Sequence, residues 1–270
     1  MKKLIFNRRF IIILCVIILG IVAYNVFILF NWVSDKGEIA RDLEEVKDEL
    51  EIKEVQGGEK VNPPAVGSKN DYWHYIKMPL LDVNIPELKK INSDTVGFIK
   101  VNGTNISYPV VQSKNNSFYI EHSFKKEKNR AGWVFMDYRN NSANLGNNTI
   151  IYGHSRIDGT MFGTLKNILK TSWKNNKDNY IINLSLPNKN TLWQVFSVYT
   201  LPVENYYIKT EFANNKRYND WLQTMLKRSE FKFNTSVNTK DKVLTLSTCY
   251  DTVNNKRVVL QAKLIKRALK

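Results

Sequence analysis

Residues Leu244–Thr252 read LTLSTCYDT. Leu244 and Leu246 alternate with Thr245 and Ser247, a period of two that marks a strand with one face in a core. The run then ends in Cys249. The 270-residue chain has only two cysteines, and the other, Cys15, lies within an apolar run near the N-terminus. Cys249 therefore has no evident disulfide partner. A lone cysteine is commonly a small buried hydrophobe, and at a strand terminus it is also a candidate nucleophile.

The same period of two recurs on either side of this stretch. Candidate strands are 96–101, 106–112, 132–137, 148–154, 180–186, 192–201, 242–248 and 257–265, separated by Asn, Gly, Asp and Lys, which suit turns. Eight short strands with hairpin-length links favour a closed barrel or a sandwich with helices added at the rim. Two helical interruptions are expected. The first, 160–170, carries Phe162, Leu165, Ile168 and Leu169 on one side; the second, 215–231, places Tyr218, Trp221, Leu222, Met225 and Leu226 at helical spacing.

The N-terminus has a different composition. Lys2, Lys3, Arg8 and Arg9 precede an uncharged run from Phe10 to Phe30. At about 1.5 Å per residue this run spans roughly 31 Å as a helix, against a hydrocarbon core of roughly 30 Å. No small-residue cleavage site follows, so an uncleaved anchor over residues 10–32 is expected rather than a signal peptide. The basic flank before it and the acid-rich flank after it place residues 1–9 in the cytoplasm and the remainder outside the cell membrane, as a single-pass protein. Residues 33–70 read as a helical stalk and linker, with Ile39, Leu43, Val46 and Leu50 at helical spacing, followed by a Gly- and Pro-containing stretch. That helix is either a free stalk or packed on the domain behind it. The folded domain is expected over 71–270.

The net charge of +15 is spread over the chain in Lys- and Asn-rich runs such as KNNKDN, with no dense block. No zinc-finger spacing, RNA-binding aromatic signature or basic helix accompanies it, so nucleic acid is not an expected partner. Of the three histidines, His74 and His122 are flanked by aromatic residues and read as structural or exposed; none shares metal-ligand spacing with another or with Cys249. No metal or other cofactor is expected.

His154 ends the apolar stretch TIIYGHS, where Gly153 lets the chain turn sharply. Arg257 opens the strand after Cys249. If those two strands form a hairpin, YDTVNNK is its loop, and Cys249 and Arg257 face each other across its base. A thiolate can attack a carbonyl carbon, and an imidazole can protonate the leaving amine and deprotonate an incoming one. A guanidinium, always charged and forked, can hold substrate or a developing oxyanion.

TLSTC followed by an arginine, with YGH upstream, resembles the sortases, cysteine transpeptidases of Gram-positive cell surfaces. IIYGHSRIDGTMFGTLKN, GWVFMDYRN and the helix at 215–231 resemble class B members in particular. The resemblance covers roughly Asp71 to the C-terminus. It implies a mostly β fold: an eight-stranded barrel with added helices, preceded by the transmembrane helix. It implies that Cys249, His154 and Arg257 cleave a C-terminal sorting signal on secreted proteins and transfer them to a peptidoglycan cross-bridge amine. The same resemblance points to Tyr152, Ile120, Tyr207 and Ile208 as groove-lining residues, with Ser247 near the site. Two other readings stay open: a thiol hydrolase using the same three residues, and a membrane-tethered binding protein in which Cys249 is merely buried.

Overall fold

The computed structural model describes the backbone of residues 8–251 and 256–270, and the side chains of 8–248 and 256–270. The tail before Arg8 and the centre of the expected loop, 252–255, lie outside the described residues. In chain order the elements are helix α1 (Arg8–Asp48), strands β1 (Ile52–Val55) and β2 (Glu59–Lys60), α2 (Tyr72–Tyr75), β3 (Leu80–Val83), α3 (Ile85–Ile91), β4 (Thr95–Val101), β5 (Ser107–Val111), β6 (Phe135–Met136), β7 (Asn148–Tyr152), α4 (Thr171–Lys174), β8 (Ile181–Leu186), β9 (Lys189–Pro202), α5 (Asn215–Arg228), β10 (Val243–Asp251) and β11 (Lys256–Leu269).

Eight of these strands close into a barrel. The ring runs β7, β6, β5, β4, β8, β9, β11, β10 and returns to β7. Closure depends on β10, which pairs in parallel with β7 from Val243↔Asn148 to Ser247↔Tyr152 and antiparallel with β11 from Val243↔Lys263 to Cys249↔Arg257. Beyond Lys263, β11 outruns β10, and β2 takes up the open edge at Lys266 and Arg267. Closing the ring removes edges that would otherwise invite intermolecular pairing. The β1 strand pairs with β3 at one side.

All eight expected strands form. Strand β9 does not alternate in burial: ten consecutive residues from Asn190 to Tyr199 are buried. One face fills the barrel, and the other lies under α5. A bulge leaves Phe196 without a partner between Val195↔Ala262 and Ser197↔Gln261. It shifts the parity, so Trp193, Val195 and Val198 join the barrel core while Phe196, Tyr199 and Leu201 join a second cluster with Tyr218, Trp221, Leu222 and Met225 of α5. Asn214 caps α5 by accepting from the Arg217 N–H at 3.0 Å. Burying each such aromatic or large aliphatic side chain contributes roughly 2–3 kcal/mol.

One expectation is corrected and one open alternative is decided. The stretch 160–170 is not a helix; only a 3₁₀ turn forms, at Leu165–Leu169. Met161 adopts φ +52°, and a Cβ on Gly163 would lie 2.3 Å from the Arg156 carbonyl oxygen, so the chain doubles back too tightly for a helix to begin. The helix near residue 39 is continuous with the apolar run and ends at Asp48, and it packs on the domain through Ile39 and Val46 rather than standing free. Among the described residues α1 is the one helix long and apolar enough to cross a membrane.

Candidate active site

Tyr152 ends β7, and Gly153 follows it. A Cβ at Gly153 would sit 2.7 Å from Cγ of Phe162, so only glycine lets that ring pack beneath the turn. The Phe162 N–H then donates to the His154 carbonyl at 2.9 Å, folding the 155–162 loop under the histidine. His154 is half-buried, and its Nε2 lies 2.8 Å from the carbonyl oxygen of Ile120. A carbonyl can only accept, so the neutral imidazole carries its proton on Nε2 and presents a lone pair at Nδ1. Gly132, at φ +58°, makes this approach possible: a Cβ there would lie 2.6 Å from the Ile120 oxygen and 2.9 Å from His154 Cδ2.

The second part of the site comes from the β10–β11 hairpin, where Cys249 pairs with Arg257 as the sequence suggested. Strand β10 continues past Cys249 to Asp251. The side chain of Cys249 lies outside the described residues. Arg257 is half-buried and also pairs with Leu201 of β9.

His154, Arg257, Ser247, Tyr152, Ile120, Tyr207 and Ile208 all line one groove of about 280 Å³. Tyr207 and Ser247 are hydrogen-bonded through their hydroxyls at 2.9 Å. His74 and His122 lie elsewhere. His74 sits 3.6 Å from Asp178 on the surface, and His122 stacks on Phe118 with its Nδ1 2.7 Å from the Phe118 carbonyl. Among the described residues no group of three His, Cys, Asp or Glu is placed to hold a metal ion.

A polar cluster that sequence reading missed adjoins the groove residues Asn116, Tyr152 and Ile208. Asp137 is fully buried. Its carboxylate accepts from Arg139 Nε at 2.8 Å and a terminal guanidinium nitrogen at 2.6 Å, from Asn116 Nδ2 at 3.0 Å and from the Tyr152 hydroxyl at 3.0 Å. Arg139 also donates to the Ile208 carbonyl at 3.1 Å. Burial alone would push the Asp137 carboxyl up, but the donors, Arg139 foremost, outweigh it and hold the group below the ordinary carboxylate range. Burial, and then the Asp137 charge, push the Tyr152 phenol up, so it remains a donor. The cluster ties two groove walls, at Tyr152 and Ile208, to one buried anion. An Asp after a strand reads locally as turn chemistry, and only the fold reveals its partners.

The barrel matches known proteins. Residues 99–265 fit the model of the sortase domain family. Sortase B of Staphylococcus aureus is 41% identical over 181 residues, 66% of this chain and 73% of that one. A solved S. aureus sortase B–substrate complex superposes with a TM-score of 0.63 at 40% identity, over 67% of this chain and 84% of the other. A Bacillus anthracis protein described as similar to sortase B gives 0.68 at 30% identity, over 88% and 99%. The closed barrel with this groove is that of a cysteine transpeptidase. The chain belongs to the sortase family, in its class B.

Proposed function

We propose that this sortase uses Cys249, His154 and Arg257 to cleave a C-terminal sorting signal on secreted proteins and join them to an amine of the peptidoglycan cross-bridge. The observation that carries the assignment is the Cys249↔Arg257 register, set beside the groove that both His154 and Arg257 line. Solved relatives include a sortase B–substrate complex and a sortase B complexed with triglycine, a peptide with a free amine. Residues 10–32 anchor the chain in the cell membrane with residues 1–9 inside; 33–70 form the membrane-proximal segment and 71–270 the catalytic domain outside.

In this reading the Cys249 thiolate attacks the scissile carbonyl carbon, and its C=O electron pair moves onto oxygen beside Arg257. As the pair returns, the C–N bond breaks and protonated His154 gives its proton to the leaving amine. Neutral His154 then takes a proton from the incoming amine as that amine attacks the thioester, and the C–S bond breaks to restore the thiolate. Ile120, Tyr152, Tyr207, Ile208 and Ser247 seat the peptide in the groove.

Intact-mass analysis of the full chain in detergent micelles tests this. The probes are a panel of short peptides containing Thr–Asn or Thr–Gly bonds, with and without triglycine. A thioester adduct on the wild type, absent from Cys249→Ala, with triglycine-dependent product, supports the reading. Peptide release indifferent to triglycine would make the protein a thiol hydrolase. Activity retained in Cys249→Ala would sink the assignment.

A further inference from the structure

From Asp35 onward α1 lies against the segment 121–131; Asp42 meets Ser123 and the Lys125 backbone there, and two of its acceptors meet at one buried side chain, Asn129. Asn129 Nδ2 donates to the Asp35 carbonyl at 3.2 Å and to the Glu38 carboxylate. Its Oδ1 accepts from the Ala131 N–H at 2.8 Å. The Asn129 N–H donates to the Glu121 carbonyl at 2.8 Å, and its carbonyl accepts from the Gly132 N–H at 3.0 Å. Directly after this turn, the Trp133 N–H donates to the Tyr119 carbonyl at 2.9 Å. The next carbonyl, that of Ile120, is the one that holds His154 Nε2. Around these contacts Ile39 and Val46 are buried, and Glu45 pairs with Lys125.

A tether needs only length. This helix instead commits buried apolar residues, an ion pair and two acceptors to the wall behind the imidazole. The geometry points to α1 as a positioning element of the active site: acting through Asn129, it holds the Ile120 carbonyl that fixes the tautomer and direction of His154. Asn129 is not among the residues that line the groove and is a positioning residue. The inference rests on His154 being the acid/base of the proposed transfer.

Asn129→Asp isolates the link. It keeps the oxygen that accepts from Ala131 but places an acceptor opposite the Asp35 carbonyl and Glu38. In the full chain in detergent micelles, with the Thr–Asn or Thr–Gly peptide that the wild type turns over fastest and with triglycine, kcat should fall about tenfold. KM should stay within about twofold, since the groove is untouched. Nitrogen-15 histidine spectra, simple to assign with three histidines, should show His154 as one Nε2–H tautomer in the wild type and as a mixture in the variant. Adding Glu38→Gln supplies an N–H opposite the new carboxylate and should restore most of both signals. Glu38→Ala, a truncation on the α1 surface that leaves the barrel sequence intact, should mix the tautomers and lower kcat about threefold.

Wild-type kcat and a single tautomer in Asn129→Asp or in Glu38→Ala would overturn the inference. So would a defect that Glu38→Gln leaves unrepaired, because the effect would then belong to the loop alone. His154→Ala and Cys249→Ala run beside them. Activity in either refutes the catalytic assignment itself, whereas their inactivity beside a fully active Asn129→Asp refutes only the role of α1.

Discussion

The hairpins β8–β9 and β10–β11 differ in the regularity of their pairing. β8 and β9 pair from Ile181↔Gln194 to Leu186↔Lys189 without a slip, joined by Pro187 and Asn188. Hydroxyls along this hairpin are satisfied locally: Ser185 lies 2.7 Å from Asn190 Oδ1, and Thr191 donates to the Leu184 carbonyl at 2.6 Å. β10 and β11 hold register up to Cys249↔Arg257 and slip between Cys249 and Asp251. On this second hairpin, among the described residues, the buried Thr248 Oγ1 has no hydrogen-bond partner, and Thr248 lines the groove. Regular pairing serves stability in the first hairpin. In the second, the register slips beside the groove before pairing resumes at Asp251↔Lys256; Thr248 Oγ1 there, like Gln194 Oε1 on β9, is a buried polar group that asks for explanation.

Mutations on the two sides should therefore separate activity from stability. The largest effect is expected at the groove: His154→Ala should lower transpeptidation by about 10³–10⁴-fold. Its melting temperature should stay near the wild type, because the ring is half-exposed. A large fall in melting temperature there would erase the contrast. On the other side, Trp193→Ala removes a fully buried core ring whose Nε1 donates to Thr191 Oγ1 at 2.8 Å. Denaturant titration should show a loss of about 3–5 kcal/mol, with turnover per folded molecule unchanged.

Asp137→Asn tests the ground between these extremes, since the carboxylate is buried yet supports the groove. Breaking its pair with Arg139 should destabilise by roughly 3 kcal/mol at neutral pH, the low end for a buried pair because the guanidinium remains partly in water. The pH dependence has a defined sign. The folded pKa is depressed, so the stabilisation is present above the ordinary carboxylate value of about 3.9 and is lost as pH falls through the folded value. Thermal melts from neutral to acid should converge for wild type and Asp137→Asn, and a gap that persists undiminished would show that charge is not what Asp137 supplies.

Much of this architecture is legible locally. Period-two runs located all eight barrel strands, because each has at least one face in an apolar core, and the spacing of Tyr218, Trp221, Leu222 and Met225 located α5. The residues of the groove came less from periodicity than from the family resemblance carried by YGH, TLSTC, NNSFYI and ENYYI. What stayed hidden depends on contacts distant in sequence. The stretch 132–137 looks like a full strand, yet only Phe135–Met136 pairs, since Gly132 turns at positive φ and Trp133 bonds to Tyr119 instead. The 160–170 stretch has helical spacing, but its glycine and the left-handed Met161 override it. Asp137, Arg139 and Asn129 are ordinary surface types in a sequence this polar, and nothing near them announces the burial of Asp137 and Asn129 or the partners of all three.

The parallel pairing of β7 with β10 also sets an order of events. Asn148–Tyr152 must wait for Val243–Ser247, nearly a hundred residues later in the chain, before the ring can shut. Contacts so far apart form slowly, and synthesis delivers the N-terminal part first. His154 therefore exists for much of the protein's assembly without the strand that carries Cys249. Barrel closure and the completion of the proposed cysteine–histidine pair are then one event: a partly made chain holds the imidazole without the strand of Cys249, and on that proposal activity appears only with the finished fold.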